Sequence, residues 1–214
     1  LVPGPMIVSM GGFIDAGNTQ GLLTRHLLDA SEPTVVASFD VDQVLDYRGR
    51  RPLMVFEENH FASYDDPALV LYRLADRDGT PYYLLAGPEP DYQWERMIEA
   101  IRELQRALRV KLTVTTHGIP MAVPHTRPIG LTAHATEPRL IGERNPVFGR
   151  VQIPGSFAAL LELRLGEAGE QLAHPLAALA VLGEGELRPE HLRHPADERE
   201  ALALQERLGA VLEV

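Results

Sequence analysis

The sequence has no cysteine. That removes disulfides, thiolate nucleophiles and Cys-based zinc sites, and it accords with an expected cytoplasmic location, where thiols stay reduced. Lysine is nearly missing too. Of 20 basic residues, Lys111 is the single lysine and the rest are arginines, so chemistry that needs an ammonium group has one candidate. Positive charge is short overall, since 20 basic against 30 acidic residues leave a formal net charge of -10. Such a chain lacks the cationic excess that replaces counterions along phosphates, so nucleic acid is not an expected partner. No apolar run approaches the roughly 18 residues of a membrane span, and no membrane partner is expected either. The start, Leu1-Val2-Pro3-Gly4-Pro5, shows neither the basic region nor the apolar stretch of a signal peptide. What remains is a chain of 214 residues, 45% hydrophobic, with 18 Gly and 17 Pro. This composition excludes disorder, collagen and coiled coil, and the length allows a normal core.

Met6-Ile7-Val8-Ser9-Met10 predicts a short buried strand that stops at Gly11-Gly12, where backbone without Cβ turns sharply. Asp15, Gly17 and Asn18 lead into Leu22, Leu23 and Leu27 at helical spacing, with Asn18 or Thr19 as the N-cap. The β-branched run 34–39 predicts a strand that completes a β-α-β unit and pairs parallel with the first. Residues 40–51 read as a polar loop, and 53–56 as a short strand. The runs 69–74 and 81–86 flank Asp76-Arg77-Asp78-Gly79 and predict a hairpin inserted in an otherwise alternating pattern. Asp91 is placed to cap a helix carrying Trp94, Met97, Ile98, Ile101, Leu104 and Leu108. Residues 110–116 read as a strand, the proline-rich stretch 119–128 as an extended loop, and 129–134 as a further strand. Ser156 opens a helix with Phe157, Leu160, Leu161 and Leu165 on one face. From Gln171 onward Ala, Leu, Glu, Arg and His, divided by Pro175, Pro189 and Pro195, predict short helices. The expected architecture is α/β: a mixed, mostly parallel sheet flanked by helices, with an α/β domain over 1–171 and a helical subdomain over 172–214.

Two loops follow strands and precede helices, the place where open α/β sheets bind ligands and where free N–H groups favour anions. The first holds Gly11, Gly12, Asp15 and Asn18, and the second holds Glu89. Neither matches a dinucleotide or P-loop fingerprint. Asp15 is either a ligand-binding group or a turn residue bonded to nearby amides. Glu89 is either a general base or a carboxylate that complements a helix dipole. His117, His125, Thr126 and Arg127 add two imidazoles, a hydroxyl and a guanidinium after the next strand. Arg127 reads as a fork for an anionic ligand or as an ion-pair partner of Asp15 or Glu89. No metal site is expected, because His117 and His125 lack a third ligand, and no cofactor is expected. Ser156 sits in Pro-Gly-Ser-Phe, which favours a helix cap over a nucleophile elbow.

Four separated segments resemble the proteasome assembly chaperone two family in its actinomycete-type branch. They are Gly12-Phe13-Ile14-Asp15-Ala16-Gly17, Asp46-Tyr47-Arg48-Gly49-Arg50-Arg51-Pro52, Gly87-Pro88-Glu89-Pro90-Asp91 with Trp94, and Val123-Pro124-His125-Thr126-Arg127-Pro128. The resemblance implies a phosphorylase/hydrolase-like α/β fold and self-association, for instance as a trimeric ring. It leaves the protein partner unspecified and the function unassigned. The expectation is therefore a binding or assembly protein without catalysis; the alternative is a hydrolase or phosphorylase-like enzyme around an anion-binding loop. Some members carry an ATP-grasp label, but ATP-grasp sites hold phosphates with lysines, and Lys111 stands alone. The resemblance also implies another apolar strand after the helix that Ser156 opens. Residues 169–175 do not read as one, so a discontinuity near 169–172 is expected. The chain ends Leu212-Glu213-Val214, without the hydrophobic-Tyr-X tail of eukaryotic relatives.

Overall fold

Met6–Gly11 (β1) carries five successive buried residues, which places it with neighbours on both edges and layers on both faces. The computed structural model describes residues 2–13, 15–121, 130–142 and 149–180. After β1 come helix α1 (Thr19–Asp29) and strands β2 (Thr34–Phe39), β3 (Met54–Glu57), β4 (His60–Tyr64), β5 (Leu69–Ala75) and β6 (Pro81–Pro88). Helix α2 (Trp94–Leu108), strands β7 (Thr113–Thr115), β8 (Gly118–Met121) and β9 (Gly130–Ala135), helix α3 (Phe157–Glu167) and strand β10 (Leu172–Ala180) complete the order.

Among the described residues, eight strands form one sheet. From one edge the order is β2, β5, β6, β1 and β7, then β10, which pairs with β8 as well as β7 and carries β9 on its other side. Four contacts are parallel (β1 with β6, β1 with β7, β10 with β7, β10 with β8) and three antiparallel (β2 with β5, β5 with β6, β9 with β10). The predicted β5–β6 hairpin is present, and its second strand lies at the centre of the sheet beside β1. That insertion corrects the first β-α-β unit. β1 and β2 run in the same direction but are separated by β5 and β6, so β2 is an edge strand bonded antiparallel to β5.

The alternation along β1 divides the core. Met6, Val8 and Met10 join Leu69, Leu71, Tyr83 and Leu85 under α2 and α3. Ile7 joins Leu84, Ala86 and Val114 under Leu23 and Leu27 of α1. Among the described residues, one face thus carries two helices and the other one. The apolar spacing in α2 buries Met97, Ile98, Ile101 and Leu108, as the sequence predicts.

The C-terminal region departs from the sequence reading. Helix α3 closes at Gly169, which has φ 71°, and Thr113 N donates to Gln171 O as the chain enters β10. Residues 172–180, placed at the start of a helical segment by composition, form a strand of the main sheet. This is the strand that the resemblance implies after α3. Backbone pairing on both edges overrides the helical propensity of Ala and Leu. Residues 181–214 lie outside the described residues.

Strands β3 and β4 form a separate two-stranded sheet, and every residue of both is exposed. Phe56 and Phe61 pack edge to face on it, with ring centroids 5.1 Å apart.

Candidate functional site

Parallel pairing sets Gly11 beside Pro88, so the glycine loop and the 87–91 turn meet at the carboxyl ends of β1 and β6. Glu89 N donates to Gly11 O at 2.9 Å. The Glu89 side chain, 8% exposed, reaches back across this junction. Its Oε2 accepts from Phe13 N at 3.0 Å, and its Oε1 accepts from Phe157 N at 2.5 Å. Phe157 is the first residue of α3, whose N-cap Ser156 accepts from Ala159 N through Oγ at 3.2 Å. One carboxylate therefore ties the glycine loop to the positive end of a helix, where negative charge is favoured. The contact is close enough to require glycine. A Cβ on Gly12 would sit 2.0 Å from Glu89 Oε2.

Asp15 does for α1 what Glu89 does for α3. Its Oδ1 accepts from Gln20 N at 2.9 Å. Burial pushes its carboxyl above the usual range, and the amides of Gln20, Thr19 and Gly21 only partly pull it back. Asn18 holds the N-cap position in a left-handed conformation, φ 54°, without a side-chain capping bond. The N-termini of α1 and α3 thus already hold a carboxylate from the chain itself, which a phosphate binding there would have to displace.

The guanidinium at the rim comes from a residue that pattern reading passes over. Arg50 Nη2 donates to Glu89 O at 2.6 Å and pairs with Asp91 Oδ1. Asp91 was expected to cap α2; instead its Oδ2 accepts from Asp46 N at 2.7 Å, and α2 begins after Gln93 with no side-chain cap. Asp91 N and Tyr92 N both donate to Val44 O, and Trp94 Nε1 donates to Pro90 O at 2.6 Å. The first three resemblance segments are therefore one interlocked unit. What signals Arg50 in sequence is its place in the second segment, since such contacts have no periodicity.

His117 lies beyond β7, and a Cβ on Gly118 would stand 2.3 Å from Ala16 O, so this turn packs directly on the loop before α1. His125, Thr126 and Arg127 lie outside the described residues, as does any pairing of Arg127 with Asp15 or Glu89. The structure brings Gly11, Gly12 and Glu89 into direct contact and places Asp15 on a separate helix end. Among the described residues no group of three or more His, Cys, Asp or Glu is placed to hold a metal ion. None of their helices is long and apolar enough to cross a membrane.

Beside this rim, on the α1 side of the sheet, an open groove of about 450 Å³ runs along the helix flank. Ser9, Thr24, Arg25, Leu28, Asp29 and Pro88 are among its lining residues. Thr24 Oγ1 donates to Ser9 Oγ, and Ser9 Oγ donates to Gln20 O, which fixes the groove floor.

The sequence matches the PAC2 family over residues 10–214. Among curated proteins none matches it. A solved structure from Mycobacterium tuberculosis, the unknown function protein Rv2714, is similar at 41% identity and TM-score 0.85, covering 99% of this chain and 69% of that one. A protein of unknown function from Corynebacterium glutamicum is similar at 31% identity and TM-score 0.80, covering 100% of this chain and 85% of its own. The Mycobacterium tuberculosis proteasome-assembly chaperone homologue Rv2125 has the same fold at 21% identity and TM-score 0.80, over 98% of this chain and 85% of that one.

Proposed function

The chain belongs to the PAC2 family, and from that membership we propose that it is a self-associating binding or assembly protein that performs no catalysis. The observation that carries the reading is the β3–β4 hairpin. Its two strands are exposed throughout, with Phe56 at 59% and Phe61 at 65%. An isolated two-stranded hairpin is marginal in water, and an exposed apolar patch of this kind marks a protein contact. The rim adds support from the other direction. Glu89 and Asp15, the carboxylates that the sequence offers for acid–base work at the rim, are committed to backbone amides at helix ends. A catalytic reading needs an acid or base and an electrophilic stabiliser converging on one cavity. The name of the 21%-identical Rv2125, a proteasome-assembly chaperone homologue, points the same way.

Light scattering at micromolar concentration tests this directly: an oligomer is expected, and a monomer counts against the reading. A thermal-shift panel of phosphate, nucleosides and nucleotides tests the enzymatic alternative. No shift is expected, whereas a ligand at about 100 times its dissociation constant would stabilise by roughly 2.7 kcal/mol.

A further inference from the structure

Two neighbouring glycines at the end of β1 have different reasons to be glycine. Gly12 is fixed by Glu89, whose carboxylate leaves no room for a Cβ. Gly11 has no such constraint: its φ lies outside the left-handed region, and a Cβ placed on it would meet nothing within 4 Å. A glycine in a strand costs stability, and where neither backbone nor packing calls for it, it marks a place that something else approaches closely. Strand alternation turns Gly11, like Ser9, to the α1 side, so the space left by its missing side chain belongs to the α1 groove. The groove's volume of about 450 Å³ falls in the range of small-molecule sites.

The lining side chains define the chemistry the groove can hold. Gln20 is 5% exposed, yet its Oε1 has no hydrogen-bond partner, unlike most buried acceptors. Thr24 Oγ1 donates its proton to Ser9 Oγ, whose own proton goes to Gln20 O, so Thr24 is left with accepting capacity alone. These two residues call for a donor. Arg25 and Asp29 are exposed and four apart on α1, with the cation first, the less favourable order for a helical ion pair. Among the described residues neither forms an ion pair. Leu28 and Pro88 add apolar surface.

We propose that the groove binds a free α-amino acid, with its ammonium toward Thr24 and Gln20, its carboxylate on Arg25 and its side chain along Leu28 and Pro88. A ligand with only one charge meets a like charge at the groove, whether from Arg25 or from Asp29, whereas a zwitterion answers both. Asp29 then sorts side chains, disfavouring acidic ones. This binding goes beyond the assembly reading and does not depend on it.

Thermal melts of the full chain with each standard L-amino acid at millimolar concentration test the assignment. Apolar or basic amino acids are expected to raise the melting temperature by roughly 2–4 °C, with aspartate and glutamate giving the smallest shift. The decarboxylated and deaminated analogues of the best amino acid should give none. Gly11→Leu fills the groove from a position where a Cβ is free of contact, and Arg25→Gln removes the carboxylate's partner from an exposed site. Both variants should melt as wild type does without ligand and should lose the shift. The proposal is overturned if no amino acid shifts the melt, if the shift survives either variant, or if one of the singly charged analogues shifts it equally.

Discussion

The rim and the hairpin are built on opposite terms. At the rim both carboxylate oxygens of Glu89 meet an N–H group, Arg50 binds a carbonyl and a carboxylate, and Gly12 exists because nothing larger fits. In the hairpin two short strands pair with each other, and among the described residues their large apolar side chains are left exposed. The contrast separates a region whose side chains bond to the chain itself from one whose side chains face outward, and the most distinctive sequence segments belong to the first.

Glu89→Ala is the strongest way to break this contrast. It strips two backbone donors of a charged acceptor in a buried setting, at about 3 kcal/mol. A thermal melt should fall by roughly 6–12 °C while the association state is unchanged. Next is Gly12→Ala, whose Cβ collides with the Glu89 carboxylate. It should cost about 2 kcal/mol as the clamp is forced apart. Phe56→Ser with Phe61→Ser should do the reverse, changing stability by no more than about 0.5 kcal/mol. Light scattering of that variant should report loss of the oligomer, and an intact one would place the hairpin outside the interface.

The smallest effect concerns Asp15. Its folded-state pKa lies above the ordinary 3.8, so between those two values the folded protein binds more protons than the unfolded chain. Stability from this group therefore declines as pH rises through that window and is level above it. Asp15→Asn keeps an acceptor for Gln20 N and removes the titration. The difference between wild-type and variant melting curves should show that decline, and a difference that rises with pH would contradict the burial argument.

Legibility in the sequence follows periodicity. Helix α2 is readable because six apolar residues repeat at helical spacing, and the β5–β6 hairpin because two apolar runs flank an Asp-Gly turn. The place of β2 is not readable, since a strand's neighbours are chosen by the whole sheet. Strand β10 is hidden for a related reason: residues 172–180 contain no β-branched residue and include Pro175, and only the slot between β7 and β9 makes them extended. At the rim the sequence locates Gly11, Gly12 and Glu89 together but leaves their role open between ligand binding and helix capping. The geometry found there, a carboxylate spanning Phe13 and Phe157, joins residues far apart in the chain.

The strand order also sets a timetable for synthesis. When β1 leaves the ribosome neither of its hydrogen-bonding neighbours exists, for β6 and β7 both follow much later. The β5–β6 turn is local and closes early, which gives β1 its first template. The far half of the sheet must wait longer, because β8 and β9 pair with β10, after residue 171. Until then the nascent chain carries open strand edges as well as the apolar hairpin, and this is the interval in which it most needs protection from its neighbours.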